Sequence, residues 1–224
     1  MLLKNYPAMK VNQWLVVADV HLGITKEMYE KGIIMPRQSE ILARRINKLK
    51  KITRAKKLLM LGDIKHKITG FSIQEKYEFE RFFSLLDFKD VTIVKGNHDG
   101  HIEKIIPEKV KVRKSFAVGD YFFTHGHRNA STKKRNIVIG HNQPHIRFRD
   151  KMKAVYTEPV WVIGKMRNGT TLYIIPAFNE LCGATIINKD DLLGPVAREL
   201  DARRAKVYLM DGTDIGTLAV LRRK

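Results

Sequence analysis

Apolar and polar positions divide the chain into two textures. Trp14-Leu-Val-Val-Ala-Asp19 is a short apolar run ending on a carboxylate, the pattern of a buried strand with Asp19 at its C-terminal end. Across residues 36–53, Ile41, Leu42, Ile46, Leu49 and Ile52 recur at three- to four-residue spacing. Arg44, Arg45, Lys48 and Lys51 fall between them, which predicts an amphipathic helix. Lys57-Leu-Leu-Met-Leu-Gly-Asp63 repeats the strand pattern and again stops on an aspartate. A second helix is expected over 73–87, with Glu75 and Glu78 early and Phe79, Phe82, Phe83 and Leu86 facing the core. Val91-Thr-Ile-Val94 is a third strand and runs into Lys95-Gly-Asn-His-Asp-Gly100. Strand, helix, strand, helix, strand is the signature of a mostly parallel sheet with crossover helices. Ligand sites in such sheets lie at the C-terminal strand edge, where the polar residues gather here.

Beyond residue 110 the apolar runs shorten. Strands are expected at 115–118, 121–125, 136–140, 154–163, 171–177, 206–210 and 215–221, with a short helix at 195–203. Asp211-Gly-Thr-Asp214 reads as a hairpin turn joining the last two strands. No linker rich in Pro, Gly or Ser interrupts the pattern, so residues 1–224 are expected to form one domain.

Charge changes the picture. Forty-two Lys and Arg against 23 Asp and Glu give +19 and a pI near 10.0. Such an excess favours a polyanionic partner, because bound phosphates release their counterions. A thermophile-type charged surface would be more evenly balanced. Apolar residues at 44% exclude a disordered chain. The single cysteine, Cys182, excludes an intrachain disulfide framework and a paired-cysteine zinc site and fits a reducing compartment. No run of about 18 apolar residues predicts a membrane span. A cytoplasmic location without membrane contact is therefore expected.

The eight histidines all fall between residues 21 and 145. Five segments at predicted strand ends hold most of them: Asp19-Val-His21, Gly62-Asp63 with His66, Gly96-Asn97-His98-Asp99, Thr124-His125-Gly-His127, and Gly140-His141-Asn-Gln143-Pro-His145. Carboxylate, imidazole and amide together suit borderline divalent metals such as Mn²⁺, Fe²⁺, Ni²⁺ or Zn²⁺. Asp19 and His21 sit two apart, so an extended strand end points both side chains the same way. A carboxylate such as Asp63 can bridge two ions about 3.5–4 Å apart. His127 is expected behind the ligands rather than among them, and His101 at the surface. Gly96 and Gly126 are expected to let backbone approach the metals closely.

Taken in order, these segments resemble the calcineurin-like metallophosphoesterase superfamily, with its pattern D-x-H, G-D, G-N-H-D/E, H and G-H-x-H. The chain is most similar to the small archaeal and bacterial DNA-repair-exonuclease-like subgroup, which includes a DNA-ligase-associated form. The resemblance spans roughly residues 13–180 and includes Pro176-Ala-Phe-Asn179. It implies a four-layer αββα sandwich of mixed sheets with the metals at the strand ends. Asp19 and His21 would bind a first metal, Asp63 would bridge, and Asn97, His125 and His141 would bind a second. His98 would protonate the leaving oxygen, and His66 matches an assisting histidine of the nuclease branch. One position departs: the second histidine of G-H-x-H is Gln143 here. A glutamine carbonyl coordinates these metals more weakly than imidazole, so the first site is expected to bind loosely or to prefer a harder ion such as Mn²⁺. His145, two residues on, is the alternative donor.

The implied activity is hydrolysis of a phosphodiester, of DNA, RNA or a nucleotide, by a hydroxide activated between two metals. A phosphomonoesterase or cyclic-nucleotide phosphodiesterase is the alternative enzyme. A nucleic-acid-binding protein on a weakened scaffold is the alternative of another class. Basic residues that directly follow the histidine motifs, Arg128, Lys133 and Lys134 after His125 and Arg147 after His141, are expected to hold the substrate. The eight cations of residues 44–57 are expected to be a solvated helix face.

Overall fold

The computed structural model describes residues 1–223. Five strands form the first sheet in chain order: β1 (Ala8–Val11), β2 (Trp14–Ala18), β3 (Lys57–Leu61), β4 (Asp90–Val94) and, after the helices, β5 (Lys111–Arg113). β1 is antiparallel to β2, and β2 to β5 are parallel. The crossovers carry α1 (Ile24–Glu30), α2 (Gln38–Thr53) and α3 (Ile73–Leu85). The second sheet holds β6 (Phe116–Val118), β7 (Tyr121–Phe123), β8 (Asn136–Ile139), β9 (Pro144–Arg149), β10 (Val155–Met166), β11 (Thr171–Ile174) and β12 (Thr185–Ile186). Its order is β12-β9-β10-β11-β8-β7-β6. A hairpin of β13 (Leu200–Leu209) and β14 (Asp214–Thr217) joins it along β10, flanked by α4 (Gly194–Arg198) and α5 (Leu218–Leu221).

The alternation of side chains along each strand builds the layers. In β2 and β3, Leu15, Val17, Leu58 and Met60 face α2 and α3, where they meet Leu42, Ile46, Leu49, Phe79 and Phe82. The intervening Val16, Ala18, Leu59 and Leu61 face the other sheet and meet Phe123, Val138, Trp161 and Ile175. In the second sheet, Ile137, Ile139, Leu172 and Ile174 turn outward to a third core with Val196, Ala197, Leu218 and Leu221. Three cores separate four layers, helix, sheet, sheet, helix, as the sequence resemblance implies. Strands apolar on both faces are what such a sandwich requires.

Several expectations need correction. Ile41 and Ile52 are 46% and 56% exposed, because the buried stripe runs Leu42, Ile46, Leu49, Thr53 and they lie beside it. The helix expected at 195–203 stops at Arg198, and β13 takes over, with Ala205 and Val207 buried between exposed Arg204 and Lys206. The strand expected over 215–221 ends at Thr217; Leu218 and Leu221 are buried on one turn of α5. β1, α1, β5, β9 and β12 carried no strong pattern in the sequence. α3 opens with a capping box: Glu75 N–H donates to Ser72 Oγ at 3.2 Å, and Ser72 N–H donates to Glu75 Oε2 at 2.7 Å. Among the described residues no helix is long and apolar enough to cross a membrane.

Candidate metal centre

The loops after β2 and β3 stay paired beyond the strand ends. Asp19 N–H donates to Gly62 O, His21 N–H to Asp63 O and Leu22 N–H to Ile64 O, at 3.2, 2.9 and 2.7 Å. This extended pairing sets Asp19, His21 and Asp63 side by side. Their ligand atoms lie within 4.8 Å of one another, and the three residues are buried. The second sheet reaches the same place from the other side. His125, just past β7, is fully buried and its Nδ1 lies 3.2 Å from Leu61 O, which turns Nε2 toward Asp63 Oδ2 at 3.1 Å. His141, just past β8, donates its N–H to both oxygens of Asp19 at 3.2 and 3.1 Å. Asp63, His125 and His141 form a second group within the same 4.8 Å limit, so Asp63 belongs to both.

The backbone is strained where these residues sit. Asp19, His21, Asp63, His141 and Gln143 all have positive φ, between 44° and 66°. Non-glycine residues adopt this region at a cost and concentrate at functional sites when they do. Two glycines make the close approach possible. A Cβ on Gly62 would stand 2.1 Å from His125 Nδ1, and one on Gly96 would stand 2.1 Å from Asp63 Oδ1. Gly126 has its own reason, a φ of +107°.

Electrostatics follow from burial. Desolvation pushes the Asp19 carboxyl up to about 7, with His125 opposing. Desolvation would also raise Asp63, but the His125 ring 3.1 Å away and its charge, with the His98 N–H and ring, outweigh it and hold Asp63 below the carboxylate range. His125 is the reverse: burial lowers it, yet Asp63 and Asp19 lift it to about 9. Burial depresses His21 to about 3 and His141 to about 4. Neutral imidazoles beside anionic carboxylate are the ligand forms that divalent metals take.

Around this centre stand the remaining histidines. His98 donates its N–H to Asp63 Oδ1 at 2.9 Å, its Nδ1 is held by the His66 carbonyl, and its Nε2 lies 3.9 Å from Asp63 Oδ2. His66 Nδ1 is 3.3 Å from His21 Nδ1, and its Nε2 meets Glu27 Oε2 at 2.6 Å. Gln143 Nε2 lies 3.0 Å from His21 Nε2, so its amide does reach the centre. His145 does not: its Nδ1 is taken by Gln143 O at 2.9 Å, and it lines a separate cavity with Pro159 and Cys182. His127 packs 5.3 Å from the His125 ring. Asn97 follows Gly96 and is exposed, as is His101.

The basic residues expected beside the substrate separate. Arg128 is exposed three residues past His125. Lys134 is elsewhere, because its ammonium donates to Gly119 O at 2.7 Å, ahead of β7, while His125 follows the end of that strand. Lys133 and Lys134 thus sit at the opposite strand ends, roughly 20 Å away at about 3.3 Å per residue. Sequence proximity misled here because β7 and β8 are parallel, and their connection must return to the far edge. Arg147 lies on β9, which leads away from Gln143.

Three supporting residues were not among the expected site residues, although Asp99 and Asn179 lie within the motifs. Asp99, fully buried, accepts Ile64 N–H at 2.9 Å and Lys65 N–H at 3.1 Å on Oδ1, and Gly96 N–H at 2.8 Å on Oδ2. Asn179 donates to Val20 O at 2.9 Å from the segment after β11. Glu27, on α1, is the carboxylate behind His66. Its helix lacked a periodic pattern to announce it.

The residues fit a divalent metal. His125 Nε2 is buried and lacks a hydrogen-bond partner of proper geometry although Asp63 is near, and hard and borderline donors converge from both sheets. A four-layer sandwich whose strand ends gather such donors defines the class of metal-dependent phosphoesterases. The sequence model of the calcineurin-like phosphoesterase family matches residues 14–179, and the chain belongs to that family. The crystal structure of Pseudomonas putida nuclease MPE is similar in fold, with a TM-score of 0.59 at 20% identity, over 93% of this chain and 89% of that one. A phosphoesterase from E. coli, Yfce, aligns over 91% of this chain and 96% of its own at 15% identity and a TM-score of 0.45. No curated protein matches the chain.

Proposed function

We propose that this phosphoesterase hydrolyses phosphodiesters, of nucleic acid or a nucleotide, at a two-metal centre. The observation that carries the reading is the place of Asp63 in both ligand groups. Asp19 and His21 would hold one metal with Gln143, and Asn97, His125 and His141 the other, with Mn²⁺ the first choice and Fe²⁺, Ni²⁺ or Zn²⁺ as alternatives. Bound there, the cations supply Lewis-acid polarisation of the phosphoryl oxygens and a water acidified toward neutrality.

The protein's own groups do the rest. His98 donates Nδ1–H to the His66 carbonyl, which fixes the ring, and in its imidazolium form Nε2 would give a proton to the leaving oxygen and return to the neutral ring. His66, braced by Glu27, packs beside both rings, its centroid 5.4 Å from that of His21 and 6.2 Å from that of His98. Arg128 and Arg147 are the cations retained as substrate contacts. No Ser or Cys nucleophile is required. The Pseudomonas putida neighbour is a nuclease, which agrees with a diester substrate.

The test compares leaving groups. With Mn²⁺, bis(p-nitrophenyl) phosphate, a phosphomonoester, a cyclic nucleotide and labelled single- and double-stranded DNA are assayed with the parent, His98→Ala and Asn97→Ala. Metal-dependent cleavage of diesters is expected. His98→Ala should lose about 10²–10⁴-fold on DNA, whose alkoxide leaves only with a proton, and far less on the nitrophenyl ester. Equal losses on both substrates would remove His98 from the acid role. No metal-dependent turnover on any substrate would overturn the enzymatic reading.

A further inference from the structure

β9 and β10 extend past the second sheet as a two-stranded arm. Phe148 and Tyr156 are direct cross-strand partners on it, with ring centroids 5.7 Å apart and planes 21° apart. Both remain 45% exposed, so each offers an outer face to solvent. The Tyr156 ring is not free to turn away, because its hydroxyl donates to Asp150 Oδ2 at 3.2 Å. The same Asp150 accepts the Met152 and Ala154 N–H groups in the turn, each at 2.9 Å. The one acid of residues 147–153 is thus spent on shaping the arm.

The cations of that segment are placed differently. Arg147, Arg149, Lys151 and Lys153 are exposed, and among the described residues none of them forms an ion pair. On α2 and the start of β3, by contrast, Arg44, Arg45, Lys50 and Lys57 are matched to Glu40, Glu180, Asp87 and Asp90. Beside the arm lies a cavity of about 830 Å³. Ile146, Leu209 and Ile215 line its apolar part, and Phe148, Arg149 and Lys189 line it too.

We infer that this arm and cavity form a binding track for single-stranded nucleic acid that leads from the metal centre. Unpaired bases stack on exposed aromatic faces whatever their sequence, and unneutralised cations beside them take the backbone. An acidic partner protein would satisfy the cations but would leave the oriented ring pair without a purpose. The spacing sets a length. β9 leaves Gln143 and reaches Phe148 five residues on, roughly 17 Å at about 3.3 Å per residue. That span exceeds the reach of one nucleotide and is of the order of the sites that single-stranded nucleic acid occupies on such surfaces. A mononucleotide held at the metals does not reach the rings; an oligonucleotide does. The inference rests on the phosphodiester reading for its purpose, but not for its measurement.

Fluorescence anisotropy with a labelled dT12 oligonucleotide in EDTA tests it on the full chain. The pair Arg149→Gln and Lys151→Gln should weaken binding about tenfold and lower the salt slope by about 1.4, from about 0.7 per phosphate contact on a single strand. Phe148→Ala with Tyr156→Ala should weaken it about tenfold or more and leave a blunt duplex unaffected. Tyr156→Phe, which keeps the ring and loses the Asp150 tether, should give a smaller loss and covers the case in which the double alanine does not fold. Hydrolysis of bis(p-nitrophenyl) phosphate should stay at the parent level in all of them. If the parent hydrolyses this small diester but binds dT12 equally with and without the arm residues, the arm proposal is overturned alone. If dT12 binds through the arm and no diester is cleaved, the arm stands and the hydrolytic reading falls. Variants that change only the sedimentation of the protein, not its affinity for dT12, would mark the arm as a contact between copies and overturn the proposal.

Discussion

Gln143 holds the residue-scale question. Its amide sits 3.0 Å from His21 Nε2, the nitrogen that faces Asp63 across 3.9 Å. The side chain therefore occupies the direction in which His21 would offer its lone pair, and its carbonyl oxygen is a harder and less basic ligand than imidazole. The φ of 44° at Gln143 puts this residue, like Asp19, His21, Asp63 and His141, in the left-handed region that non-glycine residues adopt at a cost. Calorimetric titration with Mn²⁺ is expected to resolve one tight and one weaker site in the parent. Gln143→His should tighten the weaker one by about tenfold or more, on the scale of changes around a metal ligand. Two equally tight sites in the parent would refute the weakness assigned to the glutamine.

Elements place the ligands, and Asp99 is what holds two of them together. One carboxylate collects amide hydrogens from the loops after β3 and β4, both of which carry ligand or acid candidates. Asp99→Asn can keep the two bonds on Oδ1 but turns an NH₂ toward Gly96 N–H. One buried donor is then unpaired, at a cost of about 1–3 kcal/mol. Chemical denaturation should read that loss. Metal affinity should fall with it, and turnover should return at saturating metal, which loss of a true ligand would not allow. Unchanged stability would show that the loops do not depend on this residue. The motif made Asp99 visible in the sequence, whereas its partners were not, because backbone donors have no letter of their own. The same limit explains what was legible elsewhere. β2, β3, β4, α2 and α3 could be read from runs and periods that burial alone imposes. β1 could not, because four residues are too few to show a period, and β9 could not, because half of its positions are polar. Lys134 was misplaced because its sequence distance to His125 is short while a parallel crossover carries it to the other end of the sheet.

At the scale of the whole molecule the centre is a seam. Asp19, His21 and Asp63 come from the first sheet, and His125 and His141 from the second. A metal bound there ties the two middle layers, which otherwise meet through the apolar core around Trp161 and Leu59. Binding to the folded chain alone adds stability as RT ln(1 + [L]/Kd), about 2.7 kcal/mol at one hundred times Kd. For a chain of this size that is roughly 5–10 °C in Tm, at about 2–4 °C per kcal/mol. The protons set its pH dependence. Without metal, His125 titrates at about 9 and holds its proton at neutral pH, while Asp19, at about 7, is half protonated. Cation binding must displace these protons, so uptake releases them and apparent affinity rises with pH until both groups are already deprotonated. The thermal gain from a fixed Mn²⁺ concentration should therefore be larger at pH 8 than at pH 6, and calorimetric heats at pH 7 should vary with the ionisation enthalpy of the buffer. Melting temperatures that ignore Mn²⁺ would mean that the two sheets are not joined through this centre. Heats independent of buffer would mean that Asp19 and His125 are already in their metal-binding forms.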